Sequence, residues 1–117
     1  MDENRQVLVL EDEALLRRCL TRLLERSGHR VFPAGTIQEA REFLLTETVD
    51  AAILDVGLPD GNGLDLLDLT HVDRSLVVSA EVSEERLEKS GVTYFQRKPL
   101  DLACVASQID DFVTARD

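Results

Sequence analysis

The chain is poor in the residues that mark secreted, membrane or nucleic-acid-binding proteins. It has two cysteines, Cys19 and Cys104, far apart and in neither a CxxC nor a zinc-type spacing. That excludes a disulfide framework or a zinc knuckle, and both read as reduced thiols in the core or at its boundary. No apolar run approaches the length of a membrane span, and no signal-peptide core follows Met1, so a cytoplasmic location is expected. Positive charge is scarce: 13 Lys and Arg against 23 Asp and Glu leave a net charge of -10. Such a surface repels nucleic acid and anionic membranes, so neither is an expected partner of this domain. Repeats, low-complexity segments and linkers are absent too. The 117 residues, 44% hydrophobic and 31% charged, suit one folded domain over 1–117.

What is present is an alternation of short apolar runs and helical patterns. QVLVL (residues 6–10) is a continuous branched run, the mark of a buried strand. Residues 13–27 repeat apolar side chains at Leu16, Cys19, Leu20, Leu23 and Leu24, a helical stripe that Gly28 can stop. HRVFPA holds a short second strand, which Pro33 makes a poor central strand unless the proline stands at its end. Thr36 with Glu39 predicts a capping box for a helix to about Glu47. VDAAIL is a third strand, and residues 64–69 are a brief helix at best. A fourth strand falls at residues 76–79 and a short helix capped by Ser83 at 83–90. Gly91 opens a fifth strand, VTYFQ, and Pro99 leads into a last helix at 100–115 with Leu102, Val105, Ile109, and Phe112 or Val113 inward. Alternating helices and strands apolar on both faces imply a parallel sheet covered on each side.

In an open α/β sheet, ligands bind beyond the carboxyl ends of the strands. Glu11 and Asp12 follow the first strand and Asp55 the third; Ser79 ends the fourth, and Lys98 follows the fifth. Each has an ordinary reading: first-turn acids of a helix, a solvated loop acid, a strand exit before proline. Their joint placement at one edge is what points to chemistry. Three crowded carboxylates repel unless a cation sits among them, and an all-oxygen set suits Mg²⁺. A carboxylate there can attack phosphorus in line, with Lys98 and Ser79 meeting the phosphoryl oxygens. His29 and His71 lie in turns away from this edge and read as surface histidines.

The acid pair in VLVLEDE, the block DVGLPDGNG, the VVSA segment and KP near the last strand occur in this order. With them the chain resembles, over essentially its full length, the receiver domain of a bacterial two-component response regulator. The resemblance implies a flavodoxin-like, three-layer α/β fold with a five-stranded parallel sheet of order 2-1-3-4-5 and five helices. It implies Asp55 as phosphoacceptor, Mg²⁺ held by Glu11, Asp12, Asp55 and the Gly57 carbonyl, and Lys98 paired with the phosphate. Ser79 and Phe95 would be the switch residues, and the Lys98–Pro99 peptide would be cis. Tyr94 and Phe95 should face opposite ways, since strand neighbours alternate. Gly57 is expected to spare side-chain bulk beside the metal, with Gly61, Asn62 and Gly63 making the turn beyond it.

The stretches from Gly63 to Ser79 and from Ser79 to Lys98 are shorter than in the family, so the third and fourth helices are expected to be stunted. That leaves the family's phosphorylation-linked dimer open. The implied partner is a histidine kinase or phosphotransfer protein, and the chain is either a stand-alone regulator or the receiver of a longer transcription regulator. Self-phosphorylation and self-dephosphorylation would be its only reactions. The competing reading is a degenerate receiver that docks proteins without phosphorylation. A phosphatase lacks its DxD pair, since Val56 and Gly57 follow Asp55, and acids after the first strand would repel a flavin phosphate.

Overall fold

A computed structural model describes residues 5–70, 74–80, 84–92 and 94–114. The elements are β1 (Gln6–Leu10), α1 (Ala14–Arg26), β2 (Arg30–Ala34), α2 (Ile37–Thr46), β3 (Ala51–Asp55), a 3₁₀ turn (Gly63–Leu66), β4 (Ser75–Ser79), α3 (Glu84–Ser90), β5 (Tyr94–Arg97) and α4 (Leu102–Thr114). All strand pairings are parallel, in the order β2-β1-β3-β4-β5. The central strands β3 and β4 are buried at every position, which is why they read as unbroken hydrophobic runs. β2, which carries Pro33, lies at the sheet edge, where a missing N–H costs no ladder bond.

One layer consists of α1 and α4, which pack Leu20, Leu24, Val105, Ile109 and Phe112 against Val7, Val9 and Ile53. The other holds α2 and the 3₁₀ turn, with Leu66 and Ala40 against Leu8, Leu10 and Leu54. Each fully buried leucine here is worth about 2 kcal/mol of transfer free energy. Among the described residues the helices therefore number four, with a 3₁₀ turn where the resemblance implies a third helix. Asn62 starts that turn by accepting the Leu64 N–H at 2.8 Å, and Leu66 supplies its one fully buried side chain.

Several local expectations are corrected. Glu39 does not close a capping box on Thr36: Thr36 Oγ1 accepts the Glu39 N–H at 3.1 Å, but the Glu39 carboxylate takes the N–H of Gly35 at 2.8 Å. Gly91 terminates α3 at φ 77° rather than opening β5, which begins at Tyr94. Pro99 does not begin α4; Asp101 caps that helix through the Cys104 N–H at 3.1 Å. Leu102 and both cysteines are exposed, because the inward stripe of α4 runs through Val105, Ile109, Phe112 and Val113 and that of α1 through Leu20 and Leu24. His29 is no surface histidine: it is buried, and its Nε2 lies 2.6 Å from Asp110 Oδ1 on α4. His71, the Ser83 cap, Thr93 and Ala115 lie outside the described residues.

Candidate phosphoacceptor site

The sheet delivers the site residues by continuing its ladders past the strand ends. The Glu11 N–H bonds to Ala34 O at 3.0 Å, Val56 N–H to Val78 O at 3.1 Å, and Lys98 N–H to Ser79 O at 2.9 Å. Three adjoining backbones are thus pinned at one edge, and the side chains of Glu11, Asp55 and Lys98 converge there. Lys98 Nζ is 2.9 Å from Glu11 Oε1, 3.1 Å from Glu11 Oε2 and 3.3 Å from Asp55 Oδ2. Asp12 lies exposed at the rim, and its carboxylate joins those of Glu11 and Asp55 within 4.8 Å. A cavity of about 260 Å³ opens between Asp12, Asp55, Gly57, Ser79, Ala80 and Lys98. The Lys98–Pro99 peptide is cis.

The electrostatics are unbalanced. Glu11 is fully buried and Asp55 and Ser79 nearly so. Burial raises the Glu11 carboxyl from 4.5 to about 7, against the pull of Lys98 and of the Glu13 N–H on its Oε2. Burial likewise raises Asp55, opposed by Lys98 and by the Gly57 N–H that bonds Oδ1 at 3.2 Å. Burial alone would lower Lys98, but the two carboxylates outweigh it and raise it. One ammonium thus faces two buried carboxylates and a third at the rim, which leaves negative charge uncompensated.

The donor set fits a hard divalent cation. All its atoms are oxygens, and Glu11 Oε1 is buried without an aligned hydrogen-bond donor, although the Lys98 charge is close. Gly57 departs from expectation: a Cβ there would meet nothing within 4 Å, so steric room does not explain this glycine. The crowded glycine is Gly63, whose Cβ would fall 2.1 Å from the Asp55 carbonyl oxygen. In sequence it reads as turn chemistry, and only the tertiary contact reveals its role.

On β5, Tyr94 packs edge-on to Phe112 with ring centroids 4.8 Å apart, inside the α1/α4 core. Phe95 takes the opposite face, half-buried, with the Arg97 guanidinium 5.5 Å from its ring centroid. The alternation expected of these two residues is therefore present.

An open parallel sheet of order 2-1-3-4-5 with acids and a lysine at its carboxyl edge defines a flavodoxin-like α/β protein built around an acidic pocket. Residues 7–110 match the response regulator receiver domain, and the chain belongs to that family. It is 30% identical over 121 residues to the sensory/regulatory protein RpfC of Xanthomonas campestris, covering 94% of this chain and 17% of that protein. It is 46% identical over 61 residues to the KDP operon transcriptional regulatory protein KdpE of Escherichia coli, covering 52% of this chain and 27% of the relative. The chain thus spans under a third of the length of these curated relatives. Among solved structures, the non-phosphorylated HemR receiver domain of Leptospira biflexa superposes with a TM-score of 0.80 at 30% identity, covering 95% of each chain.

Proposed function

We propose that the chain is a phosphorylation switch in which Asp55 accepts a phosphoryl group from a histidine kinase or phosphotransfer protein. The observation that carries this is the buried Glu11–Lys98–Asp55 constellation with Asp12 beside it. Such a buried charge set is costly and contributes little to stability on its own. In the reaction, an Asp55 carboxylate oxygen forms the O–P bond as the donor's N–P bond breaks. The imidazole nitrogen leaves with the electron pair and is protonated. Lys98, already 3.3 Å from Asp55, follows the phosphoryl oxygens as a point charge, and the Ser79 hydroxyl donates to them.

Glu11, Asp12, Asp55 and the Gly57 carbonyl would hold Mg²⁺, which when bound neutralises charge on the transferred group. Inward rotation of Ser79, with reorientation of Phe95 away from Arg97, would carry the change to the β4–β5 edge. A groove of about 570 Å³ between Leu15, Leu16, Cys19, Pro99 and Leu102 shares Lys98 with the pocket, so we place the donor protein's contact there. Among the described residues no helix is long and apolar enough to cross a membrane, and we assign the domain to the cytoplasm. Given relatives such as KdpE, it would serve as the receiver of a longer transcription regulator.

The test is intact-protein mass spectrometry after exposure to acetyl phosphate. A single phosphate adduct that requires Mg²⁺ and is absent in Asp55→Asn is expected. No adduct, or one that survives the substitution, overturns the assignment and leaves a docking module.

A further inference from the structure

The loop after Asp55 is held at more than its two ends. Leu58 and Gly61 exchange backbone hydrogen bonds at 3.2 and 3.4 Å, which closes residues 58–61 into a tight turn. Asp60, within that turn, reaches α2: its Oδ1 accepts the Ile37 N–H at 2.8 Å and its Oδ2 the Gln38 N–H at 3.1 Å. These are two of the amides that a helix N-terminus leaves without intrahelical partners. The Ile37 bond, with that of Gln38, holds the Asp60 carboxyl below the usual carboxylate range. Gly61 rests on the same helix, where a Cβ would lie 3.3 Å from Ile37 Cγ1.

The joint is more than helix capping. α2 has a local cap in Thr36 and is anchored by buried Ile37 and Ala40. Asp60 comes from 22 to 23 residues away, so its bonds tie two separate segments. The turn it ties down directly follows Gly57, whose carbonyl is a ligand in the reading above.

We propose that Asp60 is a positioning residue of the acceptor loop, holding the 58–61 turn against α2 so that the carbonyl of Gly57 just before it faces the cation site. This rests on the phosphoacceptor reading, and the test separates the two. Mg²⁺ is titrated into the wild-type chain first, followed on the amide resonances near Asp55; no response overturns the cation-site reading and this proposal with it.

With a responding wild type, Asp60→Ala should speed exchange of the Ile37, Gln38 and Leu58 amides about 10-fold. It should also weaken Mg²⁺ affinity about 10-fold. Asp60→Asn, which keeps one oxygen acceptor, should fall between. Thr36→Ala should loosen the start of α2 without changing Mg²⁺ affinity. Unchanged Mg²⁺ affinity in Asp60→Ala, with or without faster exchange, overturns the proposal. So does equal weakening by Thr36→Ala, which would make the effect one of helix stability alone.

Discussion

The two faces of the sheet are built to different standards. On one, α1 and α4 run 13 residues each and cover the strands with two inward stripes. On the other, α2 has 10 residues and its neighbour is a 3₁₀ turn of 4. Yet β3 and β4 are buried at every position, so the thin face still excludes water from them. The difference separates what covers the sheet from what positions the candidate site. Glu11, Asp55 and Lys98 are placed by strand ladders and Asp55 is backed by Gly63, so helices can shrink while the pocket keeps its shape.

The harshest way to break the thin face is to separate its turn from β3. Gly63→Ala would set a methyl 2.1 Å from the Asp55 carbonyl oxygen, a backbone atom that cannot swing aside. We expect a loss of at least about 4 kcal/mol, or no folded protein, in urea unfolding. A near-neutral result would mean that the turn can retreat from β3.

A pair of cavity substitutions sharpens the comparison next. Leu66 in the 3₁₀ turn and Ile109 on α4 are both fully buried. If the single turn is a true core layer, Leu66→Ala should cost as much as Ile109→Ala, about 3 kcal/mol each. A Leu66→Ala cost below about 1 kcal/mol would show that the thin face is only a lid over the strands.

Local pattern made the strands and the pocket's members legible, because continuous branched runs mark buried parallel strands and the residues after them must share one edge. Glu11, Asp12, Asp55, Ser79 and Lys98 are nameable on that logic; the fold brings Asp12, Asp55, Ser79 and Lys98 to a common pocket, with buried Glu11 beside it on Lys98. What escaped were contacts between segments distant in sequence. His29 pairs with Asp110 across 81 positions, and Asp60 reaches α2 across 22 to 23. Neither leaves a periodic trace. Gly63 sat among turn glycines, and nothing in its neighbourhood told steric need from conformational freedom. Cys19 was misjudged because it borders a stripe whose buried centre is Leu20 and Leu24.

The strand-end side of the comparison can be probed by pH. The folded Glu11 carboxyl is raised to about 7 against 4.5 when unfolded, so between those values the folded chain holds the extra proton. Stability is therefore greatest at the low end of this window and falls as pH rises through it, by on the order of 3 kcal/mol. Urea midpoints should drop from pH 5.5 to pH 8 without divalent cation, and Mg²⁺ should restore the loss at pH 8. Glu11→Gln should flatten the profile. A wild-type midpoint that rises over this range, or an unchanged slope in Glu11→Gln, would place the strain elsewhere.

The smallest expected effect tests whether α2, the 10-residue helix of the thin face, depends on its own cap. Thr36 Oγ1 accepts the Glu39 N–H, while Asp60 serves the Ile37 and Gln38 amides and Glu39 serves Gly35. With those other bonds intact, Thr36→Ala should cost about 1 kcal/mol, the ordinary value of one N-cap. A larger loss would mean that Thr36 and Asp60 act as a unit rather than as separate ties. The double substitution with Asp60→Ala decides between these: additive costs keep the helix cap and the loop joint independent, whereas a cost well below the sum makes them one device. In the second case the thin face would be held by a single cooperative joint, and its tolerance of short helices would end at α2.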